Sequence, residues 1–240
     1  MEMTPDEERI AQEAWDYAKK HRTKIARRLT DPAIFIPEAN PVSVFMAGSP
    51  GAGKTEASKE LMNLKGSDGS KVLRIDPDEL REELPGYTGS NAWLFQRAVT
   101  PIVERIHDLA LEQQQSFLLD GTLSSYKVAE KNIERSLKRD RTVQILYVYQ
   151  EPEQAWNFVR AREAAEGRRI QPEDFARQYF AAREVVNNLK ISFGKTISVD
   201  LLMKNNDGSH QFYRAGVDQI DNHIPEKYSV ADVRSILGLK

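Results

Sequence analysis

A glycine-rich octapeptide, Gly48 to Thr55, carries the strongest chemical signal in this sequence. It fits the phosphate-binding pattern G-x-x-x-x-G-K-S/T, with an apolar run before it and a helix-like stretch after it. Glycines let successive backbone N–H groups point at phosphate oxygens, and the start of the helix adds partial positive charge. The pattern predicts that Lys54 reaches the β- and γ-phosphates of a nucleoside triphosphate and that the Thr55 hydroxyl holds Mg²⁺. The predicted nucleotide-binding residues are Gly48, Ser49, Pro50, Gly51, Ala52, Gly53, Lys54 and Thr55.

Two carboxylates, Asp76 and Asp78, follow a short apolar run that we expect to be a strand. Ligands of a parallel sheet collect beyond the carboxyl ends of its strands, so both side chains should lie near the γ-phosphate. Asp76 equally suits a helix N-cap, with Pro77 at the first helical position. Asp78 could complement the helix dipole, or it could orient an acceptor hydroxyl for phosphoryl transfer. We interpret Asp78 as the base or orienting group of a small kinase.

Another carboxylate, Asp120, ends the apolar run Phe117-Leu118-Leu119 and precedes Gly121 and Thr122. A carboxylate in this place often lies beside Mg²⁺ in enzymes with a phosphate-binding loop. We therefore expect Asp120 to hold the metal through water or to bind an acceptor hydroxyl. The alternative is a strand end followed by a glycine turn.

Arginines cluster around Gly167, at positions Arg160, Arg162, Arg168 and Arg169. Guanidinium groups placed on a transferring phosphoryl group accelerate transfer strongly, so we favour a lid loop that carries arginine. The alternative is a solvated helix face on which Arg162 and Glu166 form an i,i+4 pair. Tyr87 flanks the same predicted pocket and could stack on a base or sugar, or belong to the core.

Strands and helices alternate along the part of the chain that must position these groups. Strands are predicted at 42–47, 72–75, 117–119 and 142–149, with helices at 55–64, 77–84, 91–114 and 125–139. This alternation predicts an α/β fold in which helices cover both faces of a parallel sheet. We expect Pro101 to bend or restart the third of these helices.

The chain beyond the fourth predicted strand should complete the domain with mixed elements. A helix begins at Pro152 and is interrupted at Gly167, and another spans 172–190. Strands at 196–203 and 210–214 should form a hairpin around Asn205-Asn206-Asp207-Gly208. A last helix is predicted at 226–237, with Ser229 as an internal cap.

An amphipathic helix is predicted at residues 4–30, with Thr4, Pro5 and Glu7 forming its start. It could cover the nucleotide site or dock a partner, but we favour packing against the sheet. Its predicted apolar stripe is Ile10, Ala14, Tyr17, Ala18, His21, Ile25 and Leu29. We assign 1–40 to an N-terminal helical extension and 41–240 to one kinase domain.

Composition sets limits on the function. The 240 residues include no cysteine and carry a formal net charge of −2, which excludes thiol chemistry and speaks against bulk nucleic-acid binding. No apolar run is long enough to span a membrane, and the acidic N-terminus does not resemble a secretory signal, so we expect a cytoplasmic protein. The chain also lacks the guanine-reading Asn-Lys-x-Asp sequence of a GTPase.

Together these motifs resemble the zeta toxin family of bacterial kinases. The resemblance covers about 42 to 202, and its pieces follow in the order of the family. They are Gly48–Thr55, Ile75–Leu80, Leu84–Tyr87, Val99-Thr100-Pro101, Leu119–Thr122 and the arginine segment that ends at Arg169-Ile170-Gln171-Pro172. The combination of Asp-x-Asp with an arginine lid is more specific than the phosphate-binding loop alone.

The resemblance implies a kinase that uses ATP and Mg²⁺ to phosphorylate the 3′-hydroxyl of the aminosugar in UDP-N-acetylglucosamine, with a product toxic to the host. It assigns the catalytic base to Asp78, acceptor contacts to Asp120 and Thr122, and loosely a further one to Asp108. The γ-phosphate would meet Arg169 and either Arg160 or Arg162. Asp120 stands where well-known members have Glu, and the lid is compressed between Arg162 and Arg169.

Some relatives phosphorylate other acceptors, including a dinucleotide, and family toxins are often silenced by a small helical antitoxin. The resemblance therefore leaves open a small-molecule acceptor other than the nucleotide sugar, and an antitoxin whose task residues 4–30 could perform in cis. The rival hypotheses are a kinase for another acceptor, namely a dinucleotide, a nucleic-acid 5′ end or an antibiotic, and a nucleotide-dependent binding switch.

Overall fold

One mixed sheet organises the molecule. The computed structural model describes residues 3–65, 71–167, 169–205, 210–224 and 227–239. Within them, the strands are β1 (Val42–Ala47), β2 (Leu73–Ile75), β3 (Phe117–Leu119), β4 (Thr142–Tyr149), β5 (Ile197–Lys204) and β6 (His210–Arg214). Their order is β2-β3-β1-β4-β5-β6, and every pair is parallel except β5 with β6. The predicted α/β fold is confirmed.

Seven α-helices accompany the sheet in the described part of the chain. They are α1 (Pro5–Leu29), α2 (Lys54–Lys65), α3 (Gln96–Glu112), α4 (Tyr126–Leu137), α5 (Pro152–Glu166), α6 (Pro172–Phe193) and α7 (Val230–Ile236). Helices α2 to α6 lie in the connections between the parallel strands. Parallel strands need such crossovers, because each chain segment must return to the amino edge of the sheet before the next strand begins. Each of α3, α4 and α6 therefore runs from the carboxyl edge of the sheet to its amino edge.

The central strand β1 is buried from Ser43 to Ala47, so its alternate side chains supply two separate apolar layers. Phe45 and Ala47 face a large core that also contains buried residues of α1, α3, α4 and α6. Val44 and Met46 face a smaller layer closed by α2. Helices on both faces of the sheet follow from this continuous apolar pattern.

Several predicted boundaries are corrected by packing. The segment 77–84 contains a 3₁₀ turn, Glu79–Glu83, and 91–114 begins with another, Ala92–Phe95, before α3. Helix α3 continues through Pro101, because its buried apolar face packs on the core and offsets the loss of one backbone donor. Of the two predicted effects of Pro101, the restart is wrong, and the bend stays a prediction.

The C-terminal predictions are partly corrected. Ser229 caps the beginning of α7 in a capping box with Asp232, so it is not an internal cap. Strands β5 and β6 pair antiparallel, with Lys204 opposite His210, as the hairpin prediction requires. The predicted turn residues 206–208 lie outside the described residues.

The N-terminal helix α1 has the predicted capping box between Thr4 and Glu7. It packs on α3 and the 92–95 turn, through the fully buried Ala14 and Ala18. Tyr17 is 37% exposed, so the predicted stripe was wrong at this position. These contacts support packing into the core over coverage of the nucleotide site, although the partner of α1 is mainly α3 and not the sheet.

Candidate active site

The octapeptide forms a loop between β1 and α2 at the carboxyl edge of the sheet. Gly48, Gly51 and Gly53 have φ angles of 137°, 73° and 84°, in the left-handed region that glycine tolerates. The loop is also closely packed: a Cβ on Gly48 would lie 2.3 Å from the carbonyl oxygen of Val148, and one on Gly51 would lie 2.1 Å from that of Ala155. Glycine is therefore needed here for both conformation and space.

Lys54 begins α2 and curls back over the loop. Its Nζ donates to the carbonyl oxygens of Gly48 and Ser49 at 3.0 and 2.6 Å. Burial lowers the pKa of Lys54 to about 8, although the nearby carboxylate of Asp120 acts in the opposite direction. A partly desolvated ammonium group at the mouth of a curled loop is suited to bind an anion such as a triphosphate.

Asp78 lies beyond the end of β2 and is one-third exposed. Its carboxylate contacts Arg81 Nη1 at 2.9 Å and Arg162 Nη2 at 3.7 Å. Arg81 is fixed in turn by donation to Gln96 Oε1 at 2.8 Å. The structure thus brings Asp78 and Arg162 together, and both are close enough to Lys54 to influence its charge.

The predicted lid arginines occupy different surroundings. Arg162 shares a face of α5 with Ala155 and Val159, both of which approach Gly51. Arg160 is exposed on another face and donates to Asn157 Oδ1 at 2.6 Å. Arg169 pairs with Glu163 at 3.6 Å, and Arg168 lies outside the described residues. Of the two candidates for the first lid arginine, Arg162 is the one beside Asp78.

A buried arginine that the motif analysis did not identify links the two acidic segments. Arg74 Nη2 donates to Oδ2 of Asp76 at 2.5 Å and to Oδ2 of Asp120 at 2.6 Å. Its Nε donates to Ser58 Oγ at 3.0 Å, and its Nη1 to Glu79 Oε1 at 2.6 Å. The sequence offered one sign of this contact, which is an arginine in a predicted strand directly before the Asp-x-Asp sequence. The side of the sheet to which that arginine points depends on the tertiary structure.

Asp76 is not the helix N-cap of the alternative interpretation, because the 3₁₀ turn Glu79–Glu83 has Asp78 at its N-cap position. The Oδ1 atom of Asp76 accepts a hydrogen bond from the backbone N–H of Asp78 at 2.8 Å. Desolvation raises the pKa of this carboxyl group, while the guanidinium of Arg74 opposes that change. Asp76 therefore fixes the backbone that carries Asp78.

The other residues predicted to contact the acceptor lie in three different places. The Thr122 carbonyl accepts from Gly48 N at 3.3 Å, so this residue borders the phosphate-binding loop. Tyr87 packs edge-on against Phe95, with ring centroids 5.4 Å apart, and contributes to the core. Asp108 pairs with Arg135, near the ends of α3 and α4. Both helices end toward the amino edge of the sheet, so Asp108 does not join the cluster around Asp78.

Comparison with known proteins relates this geometry to a family. The sequence matches the model of the zeta toxin family over residues 25–218, which is most of the chain. The chain belongs to the zeta toxin family. A search of curated protein sequences found no significant match.

Solved structures share the fold of this zeta toxin. One comes from a study of the PezAT chromosomal toxin–antitoxin system of Streptococcus pneumoniae, with a TM-score of 0.63 and 15% identity over 98% of this chain and 88% of that chain. The native AvrRxo1-ORF1:-ORF2 complex gives a TM-score of 0.56 at 14% identity, over 98% and 85%. The AvrRxo1-ORF1:-ORF2 structure with ATP gives 0.58 at 13% identity, over 96% and 84%. At these identities, the likeness concerns the fold.

Membership in the zeta toxin family indicates an ATP-dependent, kinase-like toxin, and the site residues suit that activity. In the described part of the chain, no group of three or more His, Cys, Asp or Glu residues could hold a metal ion. Asp120 Oδ2 already accepts from Arg74 and from Ser58 at 3.0 Å.

Within the described ranges, no helix combines the length and apolar character needed to cross a bilayer.

Proposed function

We propose that this zeta toxin transfers the γ-phosphate of ATP to the 3′-hydroxyl of the aminosugar in UDP-N-acetylglucosamine. Lys54 and the loop would bind the phosphates, and Thr55 and Asp120 would hold Mg²⁺, the latter through water. The metal would neutralise charge on the phosphates. Asp78 would orient the acceptor hydroxyl and receive its proton, while Arg162 and Arg169 would contact the transferring group.

The observation that carries this proposal is the convergence of Asp78, Arg162 and Lys54. The Asp78 and Arg162 side chains approach to 3.7 Å, and the charges of both act on the pKa of Lys54. Phosphoryl transfer needs these three functions: an oriented hydroxyl, a cation on the γ-phosphate and a cradle for the phosphates. The acceptor itself is assigned through the family resemblance.

The toxic effect would follow from this reaction, because phosphorylated UDP-N-acetylglucosamine would block the use of a cell-wall precursor. The toxin–antitoxin system named for the PezAT structure makes a small helical antitoxin a reasonable partner. Since α1 packs on α3, we assign no inhibitory role in cis to residues 4–30.

Incubation with ATP, Mg²⁺ and UDP-N-acetylglucosamine, followed by mass spectrometry, tests the proposal. The acceptor should gain the mass of one phosphoryl group in the presence of the wild type, and Lys54→Ala should abolish the gain. No gain by a preparation that binds ATP would exclude this acceptor. A screen of dinucleotides, nucleic-acid 5′ ends and antibiotics with labelled ATP would then identify a kinase for another acceptor.

A nucleotide-dependent switch is distinguished from a kinase by one substitution. For a switch, Asp78→Asn should preserve function while Lys54→Ala abolishes it. For a kinase, both variants should lose phosphate transfer, and Asp78→Asn should still bind ATP.

A further inference from the structure

We propose that Arg74 is a positioning residue for phosphoryl transfer, because it fixes the carboxylates that border the phosphate-binding loop and the backbone that carries Asp78. This inference rests on the proposed function and adds to it a residue that does not itself touch ATP or the acceptor. It concerns how the side chains of the site are held in position relative to one another.

The contacts of Arg74 involve all three nitrogens of its guanidinium group. Nε donates to Ser58 Oγ, Nη1 donates to Glu79, and Nη2 donates to both Asp76 and Asp120. The four distances lie between 2.5 and 3.0 Å, and the side chain is only 7% exposed. A planar fork with several short, charge-assisted bonds resists rotation much more than a single ion pair does.

One arm of this network leads to Asp78. The two oxygens of Asp76 have separate partners: Oδ2 is held by Arg74, and Oδ1 accepts from the backbone N–H of Asp78 at 2.8 Å. A rotation of the Asp76 carboxylate would therefore release the turn that carries Asp78. Arg74 prevents that rotation, and in this way it acts on Asp78 through Asp76.

A second arm leads to the residues proposed to hold the metal. Ser58 lies in α2 and shares its hydroxyl proton between the Thr55 carbonyl at 2.9 Å and Asp120 Oδ2 at 3.0 Å. Because Arg74 contacts both Ser58 and Asp120, it joins the first turn of α2 to the end of β3. The Asp78 turn, Thr55 and Asp120 are thus set relative to one another by one side chain.

Charge gives a second reason for an arginine at this position. Asp76 and Asp120 are both buried, with exposed fractions of 7% and 6%, and they accept from the same nitrogen. Two carboxylates this close would repel each other, and the guanidinium of Arg74, which contacts both, offsets that repulsion.

Another buried arginine, Arg141, shows what a purely structural role looks like. Only 4% of Arg141 is exposed, and it donates to Ser43 Oγ and to the carbonyl oxygens of Val42 and Gln115. These contacts join the beginnings of β1 and β4 at the amino edge, at the opposite end of the strands from Asp78. Arg141 is therefore a matched control for burial and for the type of substitution.

The test compares Arg74→Lys with Arg141→Lys at a temperature at which circular dichroism shows both to be folded. Lysine keeps the charge but loses the fork. We expect Arg74→Lys to lower kcat for phosphate transfer by about 10- to 100-fold, the range expected from a misplaced reacting group. The Kd for ATP and the KM for the acceptor should stay within about threefold of the wild type, since the proposed site gives Arg74 no direct contact with either ligand. Arg141→Lys should leave kcat unchanged.

A second variant keeps Arg74 and breaks only its connection to the base. Asp76→Asn should also lower kcat, and the double variant Arg74→Lys/Asp76→Asn should lose less than the product of the two single losses, because both substitutions disturb one path. This variant also decides the matter if Arg74→Lys does not fold.

The outcomes separate this inference from the proposed function. A wild type that binds ATP but phosphorylates no acceptor overturns the proposed function, and the role of Arg74 with it. An active wild type whose kcat is unaffected by Arg74→Lys and by Asp76→Asn overturns the positioning role alone. An equal loss of kcat in Arg141→Lys also overturns it, because loss of a buried arginine would then be sufficient.

Discussion

Asp78 combines partial exposure with two arginine neighbours, an arrangement suited to an orienting carboxylate. Asp78→Asn keeps the shape of the side chain but removes its negative charge. We expect phosphate transfer to fall by about 10²- to 10⁴-fold with ATP binding intact, the usual range for loss of a general base. Rates of transfer and nucleotide titrations will measure the two effects separately. Asp108→Asn is the control, and an equal loss there would contradict this assignment.

The two candidate arginines of α5 should differ in their contribution to catalysis. Arg162 approaches Asp78, whereas Arg160 is exposed and donates to Asn157. We expect Arg162→Ala to lower kcat by about 10³-fold, the lower end of the range for an arginine on a transferring phosphoryl group. Arg160→Ala should retain activity within a few-fold. Steady-state kinetics of the pair would contradict the assignment if Arg160→Ala were the more impaired variant.

The buried charge of Lys54, which suits phosphate binding, should lower the free energy of unfolding. Because burial lowers its pKa from 10.5 to about 8, the folded protein holds fewer protons than the unfolded chain between these two pH values. The free energy of unfolding should therefore rise with pH across this window. At pH 7, where Lys54 is charged in both states, Lys54→Met should be more stable by about 2 kcal/mol. Thermal unfolding from pH 7 to 10.5 should show that the stability difference between Lys54→Met and the wild type shrinks as pH rises. A difference that stays constant would contradict this prediction.

The loop and α5 are coupled through a contact that leaves no room for a side chain. A Cβ on Gly51 would lie 2.1 Å from the carbonyl oxygen of Ala155, at a φ of 73°. Gly51→Ala should therefore displace α5 from the loop, reduce stability by about 3 kcal/mol and weaken ATP binding. Gly216 is a matched control, because its φ is 67° and nothing lies within 4 Å of its Cβ position.

Backbone strain alone is expected in Gly216→Ala, at a cost of about 1 kcal/mol. The difference between the two variants in thermal unfolding measures the close approach of α5. Equal destabilisation of both would show that φ, and not the contact, explains the need for glycine at position 51.

The whole molecule should be sensitive to acid through one core histidine. His107 is 2% exposed, packs edge-on against Phe117 with ring centroids 4.8 Å apart, and accepts a hydrogen bond at Nδ1 from Arg135 Nη1 at 3.2 Å. Burial, assisted by nearby arginines, lowers the pKa of His107 from 6.5 to about 3. The unfolded chain therefore takes up a proton between these pH values that the folded protein does not.

This difference should lower the free energy of unfolding by about 1.4 kcal/mol for each pH unit as pH falls through the window. His107→Leu should remove that part of the slope, whatever it does to stability at pH 7. Denaturant titrations at several pH values will measure it, with His21→Asn as a control on α1. An unchanged slope in His107→Leu would show that carboxylates alone cause the acid sensitivity.

Much of the fold could be predicted because it depends on local patterns. Short stretches of sequence predict some conformations directly. Examples are the apolar runs at β1 and β4 and the glycine spacing from Gly48 to Gly53. The alternation of strands and helices then leaves few topologies, since parallel strands need crossovers. Where helix boundaries were wrong, as at Pro101 and Ser229, burial and capping geometry decided them.

The sequence by itself determined the phosphate-binding loop, the α/β class and the family, because each rests on residue types at fixed spacing. Only the tertiary structure decided that Arg162 approaches Asp78, that Asp108 lies near the other edge of the sheet, and that Arg74 joins Asp76 to Asp120. The reason is physical: these contacts join side chains from separate elements. Which faces meet depends on how the helices and strands pack, and not on any one segment alone.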